Sequence, residues 1–313
     1  MQIFRHHAPL PPAARGAVVA IGNFDGVHLG HRAVLDIVAE TAEAAGAPRG
    51  VLTFEPHPRR VFRPNEPPFR LTPFRVKARL IEEAGIDLLY NLHFDLAFAQ
   101  RTAENFVDEI LVAGLGVRHV VVGYDFVFGN KRRGTAAFLM ERGRALGFGV
   151  SVVSPAQQEG GGDVYSSTRI REHLQRGEPR LAAALLGRDW EVDGRVEHGD
   201  QRGRTIGFPT ANVAMDEYLR PAVGVYAVRA GLERAGRTVW HDAVANLGYR
   251  PTVRGTDLRF EVHLFDFDGD LYGQHLRVAF VDYIRPEKKF DGLPALKAQI
   301  AEDAARAHEL LRG

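Results

Sequence analysis

An α/β half followed by a β half is the organisation the sequence predicts: a doubly wound parallel sheet, then a β-barrel with a terminal helix. Three observations carry this. The first half alternates short apolar runs with amphipathic ones, which implies parallel strands joined by right-handed crossovers. After about residue 185 the runs become strand-like, separated by glycine and aspartate turns, and helix returns only at the end. The length, 313 residues, suits two domains. The boundary falls near 183–189, dividing the chain into 1–185 and 186–313.

The elements follow in order. "AVVAIG" (17–22) reads as a buried strand, and "HRAVLDIVAETAEAAG" (31–46) as a helix. Val34, Leu35, Val38, Ala42 and Ala45 share one face of that helix, and Gly46 stops it. "GVLTFE" (50–55) is a second strand, followed by a proline-rich loop (56–73) and a helix over "FRVKARLIEEAG" (74–85). "IDLLYNL" is strand, "TAENFVDEILVAG" helix, "RHVVVGY" strand, "TAAFLMERGRALG" helix and "FGVSVV" strand. The sheet is therefore expected to have five strands. In the second half, "WEVDGRVEHG", "GVYAVRAGL", "RTVWHDAVANLG", "LRFEVHLFDF" and "HLRVAFVDYI" read as strands. "LPALKAQIAEDAARAHELL" reads as a helix with Leu293, Leu296, Ile300, Ala304 and Leu311 on its apolar face.

Composition excludes several classes of function. Cysteine is absent, which removes disulfides, thiolate nucleophiles and cysteine zinc sites. A net charge of +1 gives no global field towards nucleic acid or a membrane. No apolar run approaches the roughly 20 residues of a membrane span. The N-terminal "MQIFRHHAPLPPAARG" lacks the apolar core of a signal peptide, so a cytoplasmic protein is expected. Lysine occurs at only five positions, Lys77 among them, and a compositional preference for arginine accounts for that.

"GNFDGVHLGH" (22–31) follows the first strand and opens the first helix. Open parallel sheets bind ligands at the carboxyl ends of their strands. Gly22, Gly26 and Gly30 allow close backbone approach, and the free N–H groups at the helix start favour an anion. His28 and His31 add two imidazole donors, each able to take the charged form beside a phosphate. The favoured reading is a grip on nucleotide phosphates that stabilises charge as one of them is attacked. Two merely structural histidines remain the alternative. A zinc site lacks the i, i+4 spacing or a third ligand, and no G-x-G-x-x-G follows the strand. "GNKRRGT" (129–135) nearly has the P-loop spacing but lacks the lysine before Thr135.

The second half carries "GRTIGFPTAN" (203–212). Thr210 and Asn212 offer hard oxygen ligands suited to Mg²⁺, and their i, i+2 spacing on an extended segment puts both on one face. Gly203 and Gly207 bracket Arg204 in a loop suited to folding over phosphates. "DFDGDLYGQHLR" (266–277) fails as a calcium loop, with Leu271 at the sixth position and Arg277 at the twelfth. Asp268-Gly269 reads instead as a hairpin turn. "NKRR" (130–133) is too short, on so neutral a chain, to argue for nucleic acid.

"GNFDGVHLGH" resembles the signature of the nucleotidylyltransferase superfamily, in the variant found in prokaryotic bifunctional riboflavin kinase/FAD synthetases. "TFEPHP" (53–58), "VGYDFVFG" (122–129) and "SSTRIREHL" (166–174) fit that family in the same order. Tyr165 departs from the pattern, standing where the family has a small aliphatic residue. "GRTIGFPTAN" resembles the riboflavin kinase motif, and the likeness continues through "GVYAV" (224–228), "ANLGYRPT" (245–252), "FEVHLFDFDGDLYG" (260–273) and "IRPEKKF" (284–290).

The resemblance implies a nucleotidylyltransferase domain and a riboflavin-kinase-like barrel. It implies ATP contacts at Gly22, Asn23, Phe24, Asp25, His28, His31, Ser167, Thr168 and Arg171 in the first site. In the second it implies them at Gly203, Arg204, Gly207, Thr210 and Asn212. Flavin would lie against Phe54, His57, Asp125, Phe126, Arg285 and Phe290. Glu261 would be the catalytic base of the kinase, with His28 and His31 catalytic in the other site. The expected chemistry is phosphorylation of riboflavin by ATP to FMN, then transfer of AMP to FMN to give FAD and pyrophosphate, with Mg²⁺. Expected partners are small-molecule substrates, with no nucleic acid or membrane, in a monomer or weak homo-oligomer. The rival expectations are a flavin storage or delivery protein, or an enzyme with only one of the activities.

Overall fold

Residues 1–154, 164–198, 208–252 and 255–312 are described by the computed structural model. Packing divides the chain into two units, Met1–Pro67 with Pro73–Ser166, and Pro68–Thr72 with Ser167–Gly313.

The first unit is built on six parallel strands in the order β1-β4-β3-β2-β5-β8. These are β1 (Gln2–Phe4), β2 (Val18–Ile21), β3 (Arg49–Glu55), β4 (Leu88–His93), β5 (His119–Gly123) and, after a short β6 (Val127–Phe128) and β7 (Gly134–Thr135), β8 (Gly149–Val153). The sequence led us to expect five strands in this sheet. The sixth, β1, is a three-residue edge strand whose Ile3 is exposed, so it has no apolar run to announce it. All four residues of β2 are buried, as a central strand covered on both faces requires. From β2 the chain builds outward through β3 and β4 on one side and through β5 and β8 on the other. The order therefore reverses between β2 and β5, and the crevice at their carboxyl ends is where such sheets bind ligands.

Helix α1 (Leu29–Ala45) buries Val34, Leu35, Val38 and Ala42 and stops at Gly46, which adopts φ +55° as a left-handed cap. Ala45, expected on the same face, is exposed because the helix ends there. The short α2 (Pro58–Phe62) and α3 (Phe74–Glu83) precede β4. Helix α4 begins as Ala103–Asn105, capped by the Thr102 hydroxyl, and continues as a wider π-helix over Phe106–Leu115. Helix α5 (Ala136–Leu146) is capped by Thr135.

The second unit opens with α6 (Ser167–Gln175) and α7 (Pro179–Leu186). A closed antiparallel barrel follows in the order β10-β13-β12-β11-β14-β9. Its strands are β9 (Trp190–Glu197), β10 (Ala211–Val213), β11 (Gly224–Arg234), β12 (Arg237–Thr252), β13 (Gly255–Leu264) and β14 (His275–Arg285). Closure leaves no open edges. Trp190, Tyr226 and Phe260 pack their rings on Phe280, with centroids 4.9, 4.9 and 5.2 Å away. Asp268-Gly269 is not a hairpin turn, because β13 and β14 are not neighbours and the pair sits inside their longer connection.

Helix α8 (Leu293–Arg312) packs Ala307 and Leu311 on Val225, Ala227, Val244 and Phe265. Leu293 is exposed, contrary to its expected place on the apolar face. Asp303 is buried on this helix, neutralised by Arg285 through two hydrogen bonds of 2.8 and 2.7 Å.

Candidate active sites in the two units

The "GNFDGVHLGH" loop occupies the carboxyl end of β2, beside the point where the strand order reverses. His28 is the N-cap of α1, and its Nδ1 accepts the His31 backbone N–H at 3.3 Å. With Nδ1 accepting at the cap, Nε2 is the ring nitrogen left to donate. The two imidazoles are stacked at 3.7 Å, and the Phe24 ring lies 5.1 Å from His31. Asp25 and His28 are both buried.

Two glycines of this loop lie close against the protein's own side chains. A Cβ at Gly22 would meet the Phe24 ring at 3.2 Å. One at Gly30 would meet Tyr165 Cβ at 3.1 Å and the His28 ring at 3.2 Å. Gly26 has φ +93°, and the non-glycine residues Phe24 and Val27 are also left-handed, at φ +49° and +42°. The loop is thus held in conformations its own residues disfavour.

Four of the expected flavin contacts, Phe54, His57, Asp125 and Phe126, lie in this first unit. Phe54, near the end of β3, has the rings of Phe94 and Phe98 at 5.7 and 5.6 Å and that of Phe106 at 6.5 Å. Phe106 meets Phe128 at 5.2 Å, and Phe128 stacks on Phe126 at 5.4 Å. A continuous aromatic wall therefore runs from the end of β3 to the loop after β5. Asp125 is exposed in that loop. His57 caps α2, its Nδ1 accepting the Arg59 N–H at 3.1 Å.

One residue here escaped the sequence reading. Lys77 of α3 is fully buried, with its ammonium 2.8 Å from the Glu55 carboxylate, 3.2 Å from Thr53 Oγ1 and 3.3 Å from the Asn23 carbonyl. Its signal was positional, because Lys77 shares an i, i+3, i+4 stripe with the buried Leu80 and Ile81.

Ser167, Thr168 and Arg171 lie on α6 in the second unit. Arg171 Nε donates to the Phe69 carbonyl at 2.9 Å, and its guanidinium lies 5.6 Å from the Phe69 ring. In the barrel, β10 pairs with β13 so that Asn212 faces Glu261 directly. Directly opposed residues share a face of the sheet. On the other side of β13, Glu261 is paired with Asn246 of β12. Asn212 is also paired with Glu197 of β9. A row of four polar side chains, Glu197–Asn212–Glu261–Asn246, thus crosses four strands. Asn246 was not singled out from sequence, since strand register is not legible in a single motif. Thr210 lies two residues before Asn212 and next to Pro209, whose carbonyl is 2.8 Å from His263 Nδ1. Phe290 lies with its ring 5.7 Å from the Arg285 guanidinium, which is itself tied to Asp303. Gly203, Arg204 and Gly207 lie outside the described residues.

Among the described residues no group of three or more His, Asp or Glu side chains forms a metal cage. The hydroxyl of Thr210 and the amide oxygen of Asn212 nonetheless fit Mg²⁺, which takes few protein ligands and completes its shell with phosphate and water.

Comparison with known proteins gives a separate family match for each half of the chain. Residues 10–169 match the family described as FAD synthetase, and residues 186–311 match riboflavin kinase. The chain is 43% identical over 295 residues to the bifunctional riboflavin kinase/FMN adenylyltransferase of Escherichia coli, covering 94% of this chain and 92% of that one. It is 43% identical over 311 residues to the same-named protein of Pseudomonas fluorescens, covering 99% and 98%. With the one from Bacillus subtilis it shares 39% over 309 residues, covering 96% and 94%. A crystal structure described as the macrolide-efflux protein of Streptococcus pneumoniae superposes with a TM-score of 0.84 at 32% identity, covering 98% of both chains. No helix among the described residues of the present chain is long and apolar enough to cross a membrane. The chain belongs to the bifunctional riboflavin kinase/FMN adenylyltransferase family.

Proposed function

We infer that this chain phosphorylates riboflavin with ATP to give FMN, and then transfers AMP from a second ATP to FMN, releasing pyrophosphate and leaving FAD. What supports this reading is two groups of residues suited to phosphate chemistry, one in each unit. The first is the loop between β2 and α1. The second is the Asn212–Glu261 pair on the barrel. A flavin carrier would need neither.

In adenylyl transfer, a phosphate oxygen of FMN attacks the α-phosphorus of ATP, and the bond to the pyrophosphate oxygen breaks. We assign His28 Nε2–H and the N–H groups at the start of α1 to the charge that develops on the phosphates. His31 and the loop residues Gly22, Asn23, Phe24 and Asp25 would complete the nucleotide grip, with Ser167, Thr168 and Arg171 as further ATP contacts. The wall of Phe54 and Phe126, with His57 and Asp125, would receive the flavin.

In the kinase reaction, the terminal ribityl hydroxyl attacks the γ-phosphorus, its proton passes to the Glu261 carboxylate, and ADP leaves. A carboxylate is ionised at pH 7 and able to accept that proton as the P–O bond forms. Thr210 and Asn212 would hold Mg²⁺, which when bound neutralises phosphate charge. Gly203, Arg204 and Gly207 would cover the phosphates, and Arg285 with Phe290 would border the flavin. We assign kinase chemistry to 186–313 and adenylyl transfer to 1–185. Small molecules are the proposed partners, with no nucleic acid, and a monomer or weak homo-oligomer in the cytoplasm, where ATP is made, is the proposed state.

The test is Glu261→Gln, which keeps shape and hydrogen-bonding reach but removes proton affinity. The riboflavin phosphorylation rate should fall by about 10²–10⁴, while adenylylation of supplied FMN stays at the wild-type rate. A kinase rate within about threefold of wild type, far short of that range, would make Glu261 a bystander.

A further inference from the structure

We propose that Lys77 is a positioning residue for adenylyl transfer: with Thr53 and Glu55 it clamps the Asn23 carbonyl and so sets the nucleotide-binding loop. The proposal rests on reading that loop as the adenylyl-transfer site. A lysine with no exposed side-chain surface is costly unless each of its donors finds an acceptor. Here three acceptors meet the ammonium, the Glu55 carboxylate at 2.8 Å, Thr53 Oγ1 at 3.2 Å and the Asn23 carbonyl at 3.3 Å. The Thr53 hydroxyl also lies 3.4 Å from the same carbonyl. Two of these partners come from β3 and one from the loop, so the contact ties α3 and the sheet to the Asn23–Phe24 peptide of the loop.

What that tie does follows from the loop's backbone. Phe24 and Val27 hold positive φ without being glycine. Such conformations persist only where the surroundings over-determine them. The far end of the loop is fixed by the His28 cap on α1. The near end is fixed by the bond to the Asn23 carbonyl, while the Asn23 residue itself stays exposed. An ion pair serving stability alone needs no backbone oxygen of the site loop among its partners. Ion pairs of this kind are often replaceable by neutral groups of similar volume with little loss of stability. The composition is consistent with a specific role, for Lys77 stands in a chain with only five lysines among its forty basic residues. The compact ammonium presents three donors from one point, whereas a guanidinium is a wider planar fork.

The experiment uses the full chain. Lys77→Met combined with Glu55→Gln removes both charges together and leaves neither buried alone. Thr53→Val removes the hydroxyl and keeps its shape. For each variant, FAD formation from FMN and ATP, FMN formation from riboflavin, and thermal unfolding are measured. The double variant should lose kcat/KM for ATP in adenylyl transfer by about ten- to a hundredfold, the scale of a misplaced group. Its KM for FMN should stay within about twofold of wild type, because Phe54 and Phe126 themselves are unchanged. Thr53→Val should lose about threefold or more in the same term. Riboflavin phosphorylation should be unchanged in both. A folded double variant with near-wild-type adenylyl transfer overturns the proposal, as does equal loss in the ATP and FMN terms. If the double variant does not fold, Thr53→Val decides by the same two criteria. Failure of the wild-type chain to make FAD would instead overturn the reading of the loop, which separates the two failures.

Discussion

Replacing His28 separates its two jobs, capping α1 and presenting Nε2–H. His28→Ala removes both, whereas His28→Asn keeps a good N-cap and loses the imidazole. Capping residues lost to alanine cost about 0.5–2 kcal/mol. For a unit of this size, about 1 kcal/mol corresponds to about 2–4 °C in Tm. His28→Ala should therefore melt a few degrees below wild type, and His28→Asn close to it. A lost donor to developing oxyanion charge costs about 10²–10³ in rate, or about 2.7–4 kcal/mol. Both variants should show that loss in FAD formation from FMN and ATP, and neither should change FMN formation from riboflavin. The assay is flavin chromatography with each substrate supplied separately, run beside thermal unfolding of the same preparations. If His28→Asn makes FAD at the wild-type rate, His28 is only a helix cap and the assigned donor is wrong. If both variants lose both activities together, the two sites are not independent.

Three further outcomes are expected. Asn212→Leu should raise the Mg²⁺ concentration for half-maximal kinase rate by about tenfold, or about 1.4 kcal/mol of affinity, and an unshifted Mg²⁺ titration would remove Asn212 from the metal site. Residues 186–313 should fold and phosphorylate riboflavin, but should unfold at lower denaturant than 167–313, because α7 buries Leu185 and such a side chain contributes about 1.5–3 kcal/mol. Equal midpoints for the two fragments would show that α7 adds nothing to the barrel. Burial holds His7 and His119 below the ordinary imidazole range, so the unfolded chain takes up their protons first. The stability they contribute is present above pH about 6.5 and is lost as pH falls through their folded values. His119→Gln should flatten that slope in denaturant unfolding, and an unchanged slope would contradict it.

Much of this architecture is legible because its elements are long and periodic. The apolar run of β2, the stripe of α1 and its stop at Gly46 each follow from local chemistry. What stays hidden is short or depends on distant partners. Strands β1 and β10 have three residues each and take their stability from neighbours rather than from pattern. Leu293 reads as apolar surface to be buried, yet it lies at the helix start, and Asp303 is buried because Arg285 from β14 meets it. At the sites, the histidines and the "FPTAN" motif stand out in sequence. The pairing of Asn212 with Glu261, and of Glu261 with Asn246, is set by register across three strands and cannot be counted along one. Lys77 was hidden for a related reason, since its partners Glu55 and Asn23 lie 22 and 54 positions away.

The two-step reading is open to a single time course. Purified full chain is incubated with riboflavin, ATP and Mg²⁺, and the flavins and nucleotides are separated by chromatography. FMN should appear first and FAD after it, with ADP accompanying the first step and pyrophosphate the second, and chelation of Mg²⁺ should stop both. Riboflavin retained on the protein with ATP unchanged would make the chain a carrier. FMN that accumulates and never becomes FAD would leave the first unit without the activity assigned to it.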